Sequence, residues 1–250
     1  MVLRTKSGEI SPTTRLQLVR DLAASANATR ASGVAKFFKT GPGEYGEGDQ
    51  FLGIPVPLQR KIAMRYRALT LRDIASLLAS PIHEHRFAAL EILVAQYEDA
   101  AETRREEIVD FYLGHTRGIN NWDLVDTSAP YILGEHLKSR PRRILLTLAR
   151  SKSVWERRIA IVATFALIRN GETTDTFRIA EKLFADKHDL VQKAVGWMLR
   201  ETGKISQPAL RSFLSQHYSS IPRTTLRYAI ERFTPQERKR MLSGDFQLRH

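Results

Sequence analysis

The sequence predicts an all-α protein built from stacked helix pairs, with a basic concave face. Amphipathic segments with helical periodicity recur along the chain, and no segment shows the polar–apolar alternation of a half-buried strand. The chain of 250 residues holds 39 Lys and Arg against 27 Asp and Glu, a formal net charge of +12. Its hydrophobic content of 42% is sufficient for a sizeable core.

Four segments of similar composition define the repeat. Each has a polar or basic entry followed by an apolar run, and their basic positions are Arg86, Arg158, Lys193 and Arg227. These positions are 72, 35 and 34 residues apart, and the member missing from the first gap falls at Asn121-Trp122-Asp123. A period of about 35 residues is close to that of HEAT-like or tetratricopeptide-like helix pairs. Because the tetratricopeptide consensus is absent, the period predicts a HEAT-like helical-repeat solenoid.

Partner helices are expected between these segments, giving five or six antiparallel helix pairs and no β-sheet. They are predicted at Leu71–Leu78, Arg104–Leu113, Arg142–Ala149, Thr174–Phe184 and Gln207–Gln216. Upstream, helical periodicity runs from Ser11 to Thr40, with Ser11-Pro12 as N-cap and first turn. The Gly- and Pro-rich stretch Thr40–Pro57 predicts one long loop, either ordered or flexible. Length alone suits one large domain or two small ones, and we expect a single domain over residues 1–250.

The basic residues at the helix starts oppose the helix dipole, which favours acidic residues there. In a stacked array, equivalent helices line the same concave side, so these residues would form a basic stripe along it. One interpretation is that they are solvated positions of the first turn. Basic residues recur at these positions although the helix dipole disfavours them. This recurrence favours a second interpretation, in which the basic residues bind phosphates.

Composition excludes several other classes of site. The chain has no cysteine, which excludes disulfides, cysteine-ligated metals and thiol catalysis. His83 and His85 do not share a helix face, so no metal site is expected, and no Gly-rich phosphate loop or nucleophile elbow is present. The N-terminus has no secretory h-region and no apolar run could span a bilayer, so we expect a soluble cytoplasmic protein. The positive charge predicts a polyanionic partner, either nucleic acid or an anionic membrane surface.

Each tryptophan lies near a charged residue at the start of a repeat. Trp122 and Asp126 are one helical turn apart, and Trp155 and Arg158 are three residues apart. A third group on one helix face consists of Lys193, Trp197 and Arg200. Aromatic residues interleaved with cations favour binding to nucleic acid. The alternatives are core packing for Trp155 and Trp197, and an N-cap or a partner of a basic neighbour for Asp126.

Three motifs resemble those of the AlkD-type DNA glycosylases, which are HEAT-like repeat proteins of similar size. They are NNWDLVDTSA at 120–129, WERRIAIVATFALIR at 155–169 and VQKAVGWMLRE at 191–201. The resemblance covers roughly residues 37–233. The stretch 37–57 resembles a Gly-rich version found in many members of that family, whereas other members have a shorter, more aromatic segment there.

This resemblance implies that Trp122 and Asp126 lie beside a damaged nucleotide, with Trp197 as a second active-site tryptophan and Arg158 as a further active-site residue. It also implies that Arg200 contacts the DNA backbone. From the residue pattern we add three further DNA-binding candidates, Lys193, Arg227 and Trp155. No metal or organic cofactor is expected.

The function predicted from the resemblance is excision of cationic N3- and N7-alkylated purines from duplex DNA in base excision repair. We expect a monomer that needs no obligate protein partner and no membrane, and that associates with the nucleoid when it acts on DNA. Two alternatives remain open. One is a non-catalytic helical-repeat protein that binds distorted or branched DNA, and the other is a scaffold that binds acidic peptides.

Overall fold

The computed structural model describes residues 14–247, together with the backbone of 3–4 and 10–11. The chain divides into two compact units, with the boundary between Ser128 and Ala129. A two-residue antiparallel pairing joins Leu3–Arg4 to Ile10–Ser11, and Gln50 forms a parallel bridge to Ile82; the sequence predicted neither. These pairings are too short to build a core, and the all-α fold class is confirmed. Whether the two units form one continuous domain stays a prediction.

The helices of the first unit surround a long central helix, α5, which packs against α3, α4 and α7. Within residues 14–128 they are α1 Arg15–Ala24, α2 Ala28–Phe37, α3 Val56–Met64, α4 Leu71–Leu78, α5 His83–Asp99, α6 Glu102–Gly114 and α7 Trp122–Ser128. The first nine residues of α5 include eight buried ones, so its N-terminal half is core on nearly every side.

The second unit is organised around α12, which packs against α9, α11, α13 and α14. Within residues 129–247 the helices are α8 Arg143–Ala149, α9 Val154–Val162, α10 Thr164–Arg169, α11 Thr174–Leu183, α12 Asp189–Ile205, α13 Gln207–Gln216, α14 Arg223–Ala229 and α15 Pro235–Leu242. A five-residue π-helical segment, Pro130–Gly134, packs against α10. Among the residues that the structure describes, no helix has both the length and the apolar composition needed to cross a bilayer.

The predicted partner helices are confirmed: α4 and α13 have the predicted bounds, α8 and α11 differ by one residue at one end, and α6 begins two residues earlier and ends one residue later. The N-terminal prediction is wrong in detail. Two helices occupy the Ser11–Thr40 region, and the first is capped by Thr14 in a reciprocal capping box with Gln17. Ser11 belongs to the short strand pairing, and Pro12 lies outside the described residues.

The register of the basic repeat also differs from the prediction by one residue. Arg86, Arg157 and Gln192 are each the fourth residue of their helix, and each donates to the carbonyl six residues earlier. The donor–acceptor distances are 2.7, 3.0 and 2.9 Å. These side chains therefore satisfy carbonyls of the preceding loop. This internal role explains the basic residues Arg86 and Arg157 without requiring phosphate, and in α12 a glutamine takes the same role.

The Gly- and Pro-rich stretch is an ordered loop from Thr40 to Ile54, and Val56 begins α3. The buried carboxylate of Glu84 accepts the amides of Leu52, Gly53 and Ile54 at 2.9, 2.8 and 3.4 Å. Gly53 has a φ of +75°, and a Cβ there would lie 2.4 Å from the carbonyl oxygen of Asn27. Only glycine fits that position, since it needs both the left-handed conformation and the close approach to α2.

Candidate active site

Trp122 and Asp126 lie one turn apart on α7, the last helix of the first unit. Trp122 is the first residue of the helix, and its amide donates to the side-chain oxygen of Asn121 at 2.8 Å. Asp126 is the fifth residue and is half-buried. Because it lies within the helix, the interpretation of Asp126 as an N-cap is wrong.

Two neighbouring phenylalanines support Trp122. Phe38 stacks on the indole with ring centroids 5.2 Å apart, and Phe37 contacts it edge-on at 6.0 Å. Phe38 is 9% exposed, whereas Phe37 is 67% exposed. Neither residue was predicted from the sequence. The signal that could have found them is a pair of aromatic residues directly before a Gly-rich loop.

Asp126 lies close enough to a buried tyrosine to act on it electrostatically. Burial raises the pKa of the Tyr112 phenol above its usual range, its hydrogen bond with Ser128 opposes this, and the charge of Asp126 raises the pKa further. The Ser128 hydroxyl donates to the Leu124 carbonyl at 2.6 Å and lies 3.0 Å from the Tyr112 hydroxyl. Tyr112 is therefore a neutral phenol fixed beneath the helix.

An exposed arginine approaches α7 next to Asp126. Arg60 of α3 donates to Glu91 at 3.1 Å and to the Thr127 hydroxyl at 3.4 Å, and its side chain is 54% exposed. The Thr127 hydroxyl donates to the same Glu91 oxygen. Arg60, which was not predicted from the sequence either, brings a solvent-facing cation to the helix of the Trp122–Asp126 pair.

A buried charged cluster lies at the N-terminus of α7. The His83 imidazole lies 2.8 Å from Asp123 and 3.4 Å from Asp49. Asp49 also accepts from Arg86 at 2.6 Å and from the Asn121 amide at 3.2 Å. The side chains of Asp49, His83 and Arg86 are 4%, 3% and 3% exposed. The cluster joins the loop, α5 and the start of α7.

The pKa values in this cluster are strongly perturbed. Burial alone would lower the pKa of His83, but hydrogen bonds to Asp123 and Asp49 raise it to about 9. Burial opposes ionisation of Asp49, yet His83, Arg86 and Asn121 together hold its pKa below the usual range. Both results favour the charged forms.

In the second unit, Trp155 and Arg158 lie in α9 and both are buried. Trp155 is 9% exposed, in agreement with the core-packing interpretation. Arg158 is 5% exposed and donates to the Leu190 carbonyl at 2.5 Å. The expectation that Arg158 belongs to an exposed basic stripe is wrong, because its guanidinium is used to hold the first turn of α12.

The three predicted residues on α12 share one helix, as the spacing indicated. Trp197 is half-buried, with its ring 5.9 Å from that of Phe165. Lys193 pairs with Asp189 at 2.6 Å, and Arg200 pairs with Glu231. The charges of both cations are therefore balanced within the protein.

A glycine on α12 allows close packing against α14. Gly196, next to Trp197, allows α14 to approach closely, since a Cβ there would lie 2.4 Å from the Cβ of Tyr228.

Arg227 of α14 is exposed and has no ion-pair partner among residues 14–247. Within that same part of the chain, no cluster of His, Asp and Glu is arranged to hold a metal ion.

The family model described as "DNA alkylation repair enzyme" matches residues 18–233. The chain belongs to the DNA alkylation repair enzyme family. The match covers both candidate motifs, on α7 and on α12, and ends before α15. No curated protein matches the chain.

A solved structure supports the fold of this family member. The protein is similar to a structure described as a predicted DNA alkylation repair enzyme from Enterococcus faecalis, with a TM-score of 0.65 and 14% identity. The likeness covers 84% of this chain and 98% of the other. At this identity the likeness establishes a shared helical fold.

Proposed function

We propose that this member of the DNA alkylation repair family is a DNA glycosylase of the AlkD type. It would excise cationic N3- and N7-alkylated purines from duplex DNA as the first step of base excision repair. Membership in the family supports a role in DNA alkylation repair. The observation that carries the glycosylase proposal is the Trp122–Asp126 pair, an indole and a half-buried carboxylate one turn apart on α7.

The chemistry of the substrate suits such a pair. A purine alkylated at N3 or N7 carries a positive charge, and breaking its glycosidic bond returns the bonding electrons to the base and neutralises it. The positive charge moves to the sugar as an oxocarbenium-like centre. Water then adds to C1′ and releases a proton. The protein does not need to protonate the leaving base, and it must stabilise the cationic sugar and orient the water.

Asp126 would meet both requirements. Its negative charge stabilises the oxocarbenium-like sugar, and its oxygen accepts a hydrogen bond from the attacking water. Trp122 would place an electron-rich ring against the cationic nucleotide, an interaction of about 0.5–2 kcal/mol. Phe38, stacked on the indole, fixes the orientation of that ring.

Within the second unit, Trp197 would offer an aromatic surface to the DNA. Arg227, Lys193 and Arg200 would contact phosphates, the last two by exchanging their carboxylate partners for the backbone. Arg158 would act through α12, because its bond to the Leu190 carbonyl fixes the start of the helix that carries Trp197. Trp155 would support α9 from the core, with little ring surface left for DNA. We propose that the protein acts as a cytoplasmic monomer without a cofactor.

The test is release of free base from duplex DNA containing N7-methylguanine, followed by chromatography under single-turnover conditions. We expect 7-methylguanine to be released by the wild-type protein faster than in buffer alone. Tight binding of the duplex without released base would contradict the proposal and favour the non-catalytic alternative, a protein that binds distorted or branched DNA.

A further inference from the structure

The Asp49–His83–Asp123 cluster has a feature that packing alone does not explain. Both ring nitrogens of His83 face carboxylates, with Nε2 2.8 Å from Asp123 and Nδ1 3.4 Å from Asp49. A carboxylate can only accept, so both nitrogens must carry hydrogen for both bonds to form. The geometry therefore favours an imidazolium.

The charges of the cluster lead to the same conclusion. The groups facing His83 are Asp49 from the loop, Asp123 from α7 and Arg86 from α5. When His83 is protonated, the formal charges of the four groups sum to zero. A neutral His83 would leave one net negative charge in a buried site. Uncompensated buried charge is strongly unfavourable. The pKa of about 9 for His83 agrees with this count.

His83 reaches Trp122 by two routes. The first is polar, because its partner Asp123 directly follows Trp122 and belongs to the first turn of α7. The second is aromatic: the imidazole lies 5.0 Å from the ring of Phe38, and Phe38 stacks on Trp122. Phe51 of the loop covers the imidazole at 4.7 Å. Both routes end at the residue that begins the candidate catalytic helix.

We propose that His83 is a positioning residue, which in its protonated form clamps the start of α7 to the Gly- and Pro-rich loop and so sets the orientation of Trp122 and Asp126. This inference rests on the proposed function for its effect on catalysis. In this proposal the loop holds one end of the clamp, because its residue Asp49 binds His83. His83 itself does not touch the substrate.

His85 provides a matched control on the same helix. It is 7% exposed, and its Nδ1 lies 2.9 Å from the Ser80 hydroxyl. Unlike His83, it has no hydrogen bond to α7 within the described residues. Burial lowers the pKa of His85, so its ring is neutral at physiological pH. The pair His83→Gln and His85→Gln therefore compares two buried imidazoles, of which one is linked to the site.

The first experiment measures single-turnover release of 7-methylguanine, with DNA affinity and thermal melting measured on the same preparations. We expect His83→Gln to slow excision at saturating protein by about tenfold to a hundredfold, as misplacement of reacting groups does. Affinity should change by less than about threefold. His85→Gln should keep the wild-type rate, and its melting temperature should fall less than that of His83→Gln, which leaves an uncompensated negative charge in the cluster. Equal rates for the two variants would overturn the proposal.

The second experiment needs no activity. The indole NH signal of Trp122, assigned by comparison with Trp122→Phe, is followed by NMR between pH 6.5 and 10. We expect a shift with a midpoint near pH 9 in the wild type and in His85→Gln, and no such shift in His83→Gln. An indole signal that is insensitive to pH in the wild type would overturn the clamp.

A second variant covers the case in which His83→Gln does not fold. Asp123→Asn keeps the shape of the side chain and the bond between His83 and Asp49. Because one carboxylate is lost, the indole midpoint should move to lower pH and excision should slow. An unchanged midpoint would contradict the role of Asp123. If the wild type releases no base but its indole titrates as expected, the proposed function fails while the clamp stands.

Discussion

The indole of Trp122 lies nearly parallel to the ring of Phe38, with 14° between the planes. Phe38, directly after α2, stacks in turn on Phe51 at 5.2 Å, so an aromatic column of Phe38 and the loop residue Phe51 supports the helix of the candidate site. A ring in such a column has a fixed orientation, which a surface indole on a seven-residue helix would otherwise lack.

Phe38→Ala should destabilise the protein by about 3 kcal/mol, because it removes a buried ring between two others. Its neighbour Phe37 is 67% exposed, and Phe37→Ala should cost less than about 1 kcal/mol. Urea unfolding of both variants measures the difference. Equal losses would show that Phe38 does not carry the column.

Asp126→Asn should keep the fold and lose most base excision. The substitution removes a charge with little change of shape, and we expect a rate lower by about tenfold to a thousandfold, about 1.4–4 kcal/mol of barrier. The loss should be smaller for a labile N7 adduct than for a more stable N3 adduct. DNA affinity should hold or improve, because a phosphate-repelling charge has gone.

The control for Asp126→Asn is Glu107→Gln, the same change of carboxylate to amide at an exposed residue paired with Arg104 on α6. Single-turnover assays on both adducts and thermal melting complete the comparison. A well-folded Asp126→Asn variant with the wild-type rate would make Asp126 a structural residue.

Substitutions at two glycines should distinguish the cost of backbone strain from the cost of a steric clash. Gly43 and Gly53 share a φ of +75°, but a Cβ at Gly43 meets nothing within 4 Å, whereas one at Gly53 lies 2.4 Å from the Asn27 carbonyl. Gly43→Ala should therefore cost about 1–2 kcal/mol, the strain of the left-handed conformation alone. Gly53→Ala should cost clearly more, as measured by urea unfolding. Similar costs would mean that the loop can move away from α2.

The stability of the protein should fall as pH rises from about 6.5 to 9. His83 loses its proton near pH 6.5 in the unfolded chain but near pH 9 in the folded one, so the folded state binds more protons in this window. The stabilisation is complete below pH 6.5 and is lost as pH passes the folded pKa. Asp49, with its lowered pKa, adds no slope there. The difference between the unfolding free energies at pH 7 and 9 should be smaller in His83→Gln, and an equal difference would contradict this assignment.

Two arginines should respond differently to the same substitution. Arg227 is exposed, so Arg227→Ala should weaken DNA binding and lower the slope of log affinity against log salt by about one, without loss of stability. Arg158→Ala removes the hydrogen bond to the Leu190 carbonyl and most of a buried side chain, and should cost about 1–3 kcal/mol. It should weaken binding to damaged and undamaged duplexes alike, through a loosened α12. An unchanged melting temperature for Arg158→Ala would contradict its structural role.

Helix positions could be predicted from the sequence because amphipathic periodicity is a local property. The bounds of α4 and α13 follow from the pattern of apolar residues alone. The direction of a basic side chain at a helix start could not be predicted in the same way. Of the adjacent Arg157 and Arg158, one donates to the loop before its own helix and the other to the start of α12, and that choice depends on the carbonyls in reach.

The polar cluster could not be predicted from sequence patterns either, because it joins residues that are distant in sequence. Asp49, His83 and Asp123 are 34 and 40 residues apart, and no spacing rule joins residues at such distances. The pair Trp122 and Asp126 was found because both lie on one short helix and resemble a known motif. The aromatic column and the clamp beneath them depend on tertiary contacts that only the structure supplies.

The hydrogen bond from Asn121 to Asp49 joins residues that are 72 positions apart, and it affects which deletions in the loop this protein can tolerate. A helix as short as α7 has little stability of its own in water. Packing on α5 and this hydrogen bond to a loop distant in sequence both stabilise α7, so deletions within residues 40–54 should disturb the position of Asp126 more than they disturb the core. A related protein with a shorter loop would need another contact at the start of α7 in place of the Asn121–Asp49 hydrogen bond.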